Sequence, residues 1–377
     1  MREKPIAAVI YHMFPHYRAP VIRALAGCSE YQFEFHGSHQ PVEGIIAFKG
    51  DESVRIQELS FKGWRGLGWF KGLFRAIVKS RARAVILIGN PNYPQTWLAA
   101  LVAKLLGKRV LFWTHGWLRP EGYLKAKFRN CYFNLSDSVL VYDDRAIELA
   151  SRSGFPSRKV RPIYNSLDWD AAQPLFTRLS KEGLTSVRKR LGIPLDATVL
   201  ICTARLTPIC RFDLLLDAAS KLNAEQNRIK VVLIGDGPER PPLELLAKEL
   251  GLDAQFLGAI YDEAVLADWL YAADITVSPG KVGLTAMHSL TYGTPVVTHS
   301  DRDLQMPEVE AVRPGVNGTF FEPGNSDSLA AAITALLDDK RSRKEIRDAC
   351  RSVMEDRYTP QAQRRRIVAV LNDLLRA

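Results

Sequence analysis

Cysteine is scarce in this sequence: five in 377 residues, odd in number, with no Cys-x-x-Cys pair. Only Cys202 and Cys210 lie near each other, while Cys28, Cys131 and Cys350 stand far apart. This excludes a disulfide framework and the common zinc sites, and it fits a reducing, cytoplasmic compartment. No uncharged apolar run approaches the roughly 20 residues that span a bilayer. The charged start and the short apolar run that follows it are too brief for a secretion signal. Low-complexity tracts and fixed-period repeats are absent, as is a Walker A loop. Acidic residues are missing from one long stretch, with none between Glu58 and Glu121.

What is present is unevenly charged. Residues 1–180 hold 26 Lys and Arg against 14 Asp and Glu, and the remainder holds 25 against 27. All the excess positive charge therefore sits in the first half, which points to an anionic partner: a phosphorylated acceptor, a membrane face or nucleic acid. The length exceeds the size at which one core stops growing, so two domains are expected.

Short apolar runs alternate with helical patterns. Ile6–Tyr11, Ala84–Ile88, Val110–Trp113, Ser138–Val141 and Val160–Ile163 read as strands in the first half. Thr198–Thr203, Lys230–Ile234, Ala254–Leu257, Ile275–Val277 and Pro295–Thr298 read as strands in the second. Helical spacing fills the gaps, for example over 96–106, 212–222 and 284–292. This rhythm predicts an α/β protein of two doubly wound, Rossmann-like parallel-sheet domains. The expected boundaries are 1–172 and 184–359, with the polar stretch 173–183 as linker and a C-terminal helix over 360–377 packing back on the first domain.

The run SPGKVGLTAMHSLTYGTPVVT reads as strand end, Gly-rich loop, helix, Gly stop and strand. Gly280 and Gly283 allow close backbone approach to a ligand, Lys281 adds a charge, and the helix N-terminus offers unpaired amides. A routine strand-to-helix turn would look the same. Arg205 follows a strand and Arg211 precedes a helix, so both can sit at the sheet edge where α/β ligands bind. Two guanidinium forks there suit a diphosphate, although helix-capping is the commoner fate of a single Arg. The turn after VVLIG contains Gly235, but Arg240 stands where a dinucleotide fingerprint needs its third glycine.

The ordered series ARL…RFDLLLDA, VVLIGDGPER, FLGAIYDE, AADITVSPG…GLTAMHSLTYGTPVV and GVNGTFFEPGNSDSLAAAI resembles the C-terminal domain of family four glycosyltransferases. THGWLRPEG and KVRPIYNSLD extend the resemblance into the first half. It implies the GT-B fold, with the two domains facing across a cleft, and a retaining enzyme. That enzyme would move a sugar from a UDP- or GDP-sugar to a saccharide or lipid-linked saccharide in surface glycan synthesis, with no metal and no other cofactor. By family position the donor would be held by Gly235, Gly258, Ala259, Ile260, Gly280, Lys281, Val282, Gly283, Leu284 and His288. Arg205, Arg211 and the first-domain His115 would carry the catalytic roles. The loop after the first strand, HMFPHYRAPVI, replaces the family's Gly-rich turn. It places His16, Tyr17 and Arg18, with Arg119, on the acceptor side.

Two departures stand out. The family's paired glutamates fall at Gly280 and His288, and its phosphate-binding lysine aligns with Cys210. The missing carboxylates keep open a non-catalytic sugar-nucleotide-binding module, which would bind without turnover. An epimerase or hydrolase on the same fold also stays open and would act with no acceptor present. A nucleic-acid binder rests on charge alone, with no recognition motif.

The basic stretch 61–83, with seven Lys and Arg and no acid, is expected to form an amphipathic helix. Trp69, Phe70, Leu73, Phe74, Ile77 and Val78 would line one face beside Lys71, Arg75 and Lys79. Such a helix suits either the cover of a sheet or peripheral contact with anionic lipid on the inner membrane face.

Overall fold

The structure, a computed structural model, describes residues 3–42, 44–64, 67–224 and 228–376. Two compact units divide the chain: unit 1 is Met1–Asp168 with Arg357–Ala377, and unit 2 is Trp169–Asp356. Among the described residues no helix is long and apolar enough to cross a membrane.

Unit 1 opens with β1 (Ile6–Met13), α1 (Ala19–Ala26) and β2 (Gln32–Ser38). Then come β3 (Gly50–Asp51), β4 (Val54–Glu58), β5 (Ser60–Trp64), β6 (Leu67–Lys71) and α2 (Leu73–Lys79). A regular alternation follows in β7 (Ala84–Ile88), α3 (Pro94–Leu105), β8 (Arg109–Trp113), α4 (Tyr123–Asn134), β9 (Ser138–Val141), α5 (Arg145–Arg152) and β10 (Val160–Pro162). The main sheet runs β10-β9-β8-β7-β1-β2-β4-β3 and is parallel except at β3. All five residues of β7 are buried, as befits a strand covered on both faces.

Unit 2 begins with α6 (Trp169–Glu182), α7 (Leu184–Arg190), β11 (Thr198–Thr203), α8 (Phe212–Ala224), β12 (Ile229–Ile234) and α9 (Arg240–Glu249). It continues through β13 (Asp253–Gly258), α10 (Glu263–Ala272), β14 (Ile275–Ser278), α11 (Leu284–Thr291) and β15 (Val296–His299). Last come β16 (Gly318–Phe321), α12 (Ser326–Leu337) and α13 (Arg343–Arg357). Its parallel sheet runs β13-β12-β11-β14-β15-β16, so strand order reverses between β11 and β14. Ligands of such sheets bind at that reversal, outside the strands' C-terminal ends. The final helix, α14 (Pro360–Arg376), belongs to unit 1, where Ile367, Val368 and Leu371 enter the core.

Two expectations are corrected. Residues 173–183 do not lie between the units but within unit 2, where α6 covers most of them. Ala172, Leu175, Phe176 and Leu179 recur at helical spacing and pack with α10 residues such as Trp269 and Leu270. Arg178 also bonds Asp268 at 2.7 Å. The stretch 61–83 is not one amphipathic helix either: β5 and β6 form an antiparallel hairpin and α2 has only seven residues. Alternation wins over helical spacing because the ring of Phe70 turns inward onto Phe61 (4.9 Å) and Tyr93 (5.9 Å). Leu73 and Ile77 are buried as well, while Trp69 and Val78 point outward.

Candidate active site

In unit 2 the loops that follow β11, β12 and β14 are bonded to one another. The Gly280 amide donates to the Cys210 carbonyl (3.0 Å), that of Leu206 to Asp236 (3.0 Å), and that of Gly235 to Gly258 (2.8 Å). Thr285 Oγ1 donates to the Thr203 carbonyl, tying the start of α11 to the end of β11. These approaches leave no room for a side chain. A Cβ at Gly280 would run into the Ile209 carbonyl, and one at Gly235 into that of Ala204. The sequence-predicted residues Arg205, Arg211, Gly235, Gly258, Gly280, Lys281, Gly283 and Leu284 are thus gathered on connected loops at one sheet edge.

Their chemistry favours an anion. Arg205 is exposed, and its guanidinium makes no hydrogen bond or ion pair with any described residue. Gly283 caps α11 without a side-chain acceptor; the Ala286 amide turns back to the Gly283 carbonyl (3.0 Å), while those of Leu284 and Thr285 keep their donors open. Lys281 lies half-buried in the same loop. Arg211 behaves differently: in a left-handed conformation (φ 51°) its guanidinium folds onto Asp213 at 2.8 Å. Cys210, at the family's lysine position, turns its thiol to the Arg205 carbonyl at 3.2 Å.

Several contributors carry no signal in the sequence. Gln305 is buried; its side-chain carbonyl accepts from the Val282 amide (2.7 Å) and its NH2 donates to Thr298 Oγ1 (2.9 Å), which fixes the Gly-rich loop from behind. Glu263, in the first turn of α10, accepts from Tyr292 Oη at 2.6 Å and sits 3.9 Å from His288 Nε2. Burial lowers the His288 pKa below its usual value, with Glu263 opposing the shift. A carboxylate therefore stands beside the imidazole that replaces the family glutamate. Ala259 and Ile260 follow Gly258 at the end of β13, with Ala259 exposed.

Unit 1 has its own cluster at the ends of β1, β8 and β9. Arg18 is buried among the rings of Tyr11 (5.1 Å), Trp113 (5.2 Å) and Tyr142 (5.4 Å), and it donates to Tyr142 Oη. His115 is exposed just beyond β8, its ring 4.9 Å from that of Tyr142. His16 is exposed with its ring against Tyr17 at 5.5 Å. Arg119 is not part of this cluster and lines a separate cleft with Glu121 and Arg129. His12 was missed in the sequence. It packs on Phe61 (5.4 Å), and burial, then Arg18, lowers its pKa to about 4.

Residues 185–353 match the family described as glycosyl transferases group 1. A D-inositol 3-phosphate glycosyltransferase of Thermobispora bispora is 38% identical over 167 residues, which cover 41% of this chain and 38% of that protein. The one from Geodermatophilus obscurus is 33% identical over 220 residues, covering 55% of this chain and 45% of that protein. The chain thus spans less than half the length of these relatives. Among solved structures, Anabaena HepE in complex with UDP aligns with a TM-score of 0.71 at 16% identity, over 98% of this chain and 100% of that one. A glycosyltransferase from Rickettsia africae ESF-5 aligns with a TM-score of 0.72 at 16% identity, over 100% and 99%. With two Rossmann-like units aligned along their whole length to these two structures, the chain has the GT-B fold, and its second unit carries the group 1 sequence pattern.

Proposed function

We propose that this protein is a retaining, metal-independent glycosyltransferase of the cytoplasm. It moves a sugar from a nucleoside-diphosphate sugar to a saccharide or lipid-linked saccharide acceptor in surface glycan synthesis. The observation that carries the reading is the convergence, at the β11/β14 reversal, of an Arg205 guanidinium with no partner among the described residues, the close-packed glycine loop and a start of α11 with no side-chain cap. UDP in the Anabaena structure makes a UDP-sugar the first donor to try. His288 and Glu263 would face the ribose, and unit 1, with His115 and the Arg18 cluster, would serve the acceptor. Nucleic acid has no part in this reading.

Chemically, the bond from the anomeric carbon to the diphosphate oxygen breaks while the acceptor oxygen bonds that carbon on the same face. The acceptor proton passes to the departing phosphate. Arg205, Lys281 and the amides of Gly283 and Leu284 stabilise the charge on the leaving group, commonly the largest catalytic contribution.

The test is a thermal-shift screen of UDP- and GDP-sugars followed by transfer assays. The best donor should raise the melting temperature of the wild type. Arg205→Ala should lower transfer about 100-fold or more with the ligand-free melting temperature unchanged. Full activity in Arg205→Ala would remove this pocket from the reaction.

A further inference from the structure

The end of the acid-free stretch and the helix just beyond Glu121 build a surface that the proposed transfer reaction does not use. Right-handed crossovers from β7 to β8 to β9 bring α3 and α4 to one face of the unit 1 sheet. Along α3, Leu98, Leu101 and Leu105 recur at helical spacing and are all exposed, Leu105 by 88%. Along α4, Tyr123, Leu124 and Phe128 are exposed, Leu124 by 80%. The two rows meet where the Trp97 and Phe128 rings lie 5.3 Å apart. Scattered exposed leucines are ordinary, but a joined apolar face on two neighbouring helices marks an interaction site.

Charge says what covers it. Residues 94–134 contain seven Lys and Arg and a single acid, Glu121. That acid is already neutralised by Lys125 (3.1 Å) and Arg129 (2.9 Å). Asp137, just beyond, is paired with Lys104 at 3.6 Å. Beside α4 opens the cleft of about 900 Å³ that Arg119 and Lys127 help to line, with Glu121 held by Arg129 and with Arg152 paired to Glu148. A second copy of the chain fits poorly, because a two-fold interface would set this cationic face against itself. Apolar side chains flanked by long cationic ones match an anionic bilayer, where the stems and rings enter the acyl boundary and the charges stay among phosphates.

We propose that the α3–α4 face of unit 1 docks on an anionic phospholipid surface. Leu101, Leu105, Leu124 and Phe128 enter the membrane there, Lys127 and Arg119 meet the headgroups, and Lys104 and Lys125 cancel the two nearby acids that would repel them. This face is distinct from 61–83, where Phe70, Leu73 and Ile77 are spent on the core and Leu67, Trp69 and Val78 stay exposed. The inference stands without the transfer reading.

The experiment is flotation of the full chain with phosphatidylcholine vesicles, with and without phosphatidylglycerol. The wild type should float with the phosphatidylglycerol vesicles and release at high salt. The double substitution Leu105→Glu/Leu124→Glu, on exposed positions, should lower binding about tenfold or more while leaving the melting temperature unchanged. Trp69→Ser, on the hairpin, should float like the wild type. A wild type that ignores both vesicles, or a double variant that floats equally well, overturns the proposal. So does a result in which only Trp69→Ser loses binding. A dimer in sedimentation velocity that the double variant splits, without flotation of the wild type, would give the face to a second copy instead.

Discussion

Glu263 and His288 stand 25 residues apart in sequence and 3.9 Å apart in space. Burial keeps the imidazole neutral at pH 7, so it can donate one hydrogen bond and accept another. Tyr292 Oη holds one oxygen of Glu263 at 2.6 Å, which leaves the other toward His288. A carboxylate fixed in this way can take a sugar hydroxyl that the imidazole alone would hold less strongly. Glu263→Gln, which keeps the shape but loses the charge, should therefore raise the donor KM about five- to tenfold, near 1–1.4 kcal/mol, within the usual net worth of a hydrogen bond. Because the bond is made in the ground state as well, kcat should change by less than about twofold. Steady-state kinetics with the best donor decides: an unchanged KM would exclude Glu263 from the site.

At the scale of elements, the loop between β14 and α11 is held on three sides: by the Cys210 carbonyl, by Gln305 and by Thr285. A methyl at Gly280 meets backbone carbonyl rather than a side chain that can swing away. Gly280→Ala should therefore part the β11 and β14 loops and weaken UDP binding about tenfold or more. The check is the UDP-induced shift in melting temperature, read beside the melting temperature without ligand. A full UDP response in Gly280→Ala would show that this loop does not hold the diphosphate. This loop was legible in the sequence because its grammar is local: a buried β-branched strand, glycines, a helix and then Gly293 at φ +79°. The hairpin of β5 and β6 was not legible. Trp69, Phe70, Leu73, Phe74, Ile77 and Val78 fit helical spacing equally well, and the choice is made by distant partners, Tyr93 and the Gln95 side chain that accepts from the Phe70 amide. Gln305 was invisible for the same reason, since nothing in a polar loop announces which side chain turns inward.

Across the molecule, His12, His36, His288 and His299 are held below their ordinary pKa, two in each unit. In unit 1 burial, then Arg18, brings His12 to about 4, and burial lowers His36 against the pull of Glu34. In unit 2 burial lowers His288 against Glu263 and His299 against Asp301. Each ring stays neutral in the folded chain at a pH where the unfolded chain takes up a proton. Between pH 6.5 and about 4 the unfolded state therefore binds more protons, so stability is complete above pH 6.5 and drains away as pH falls toward 4. His12 alone accounts for at most about 3 kcal/mol of that loss. Urea unfolding at a series of pH values should show a plateau above pH 6.5 and a decline below it. His12→Phe keeps a ring against Phe61 and Tyr93 while removing the titrating nitrogen, so the decline should become shallower by up to that amount. If His12→Phe loses stability with pH as steeply as the wild type, then His12 accepts its proton in the folded protein as readily as in the unfolded one, and the acid sensitivity lies with the other three rings.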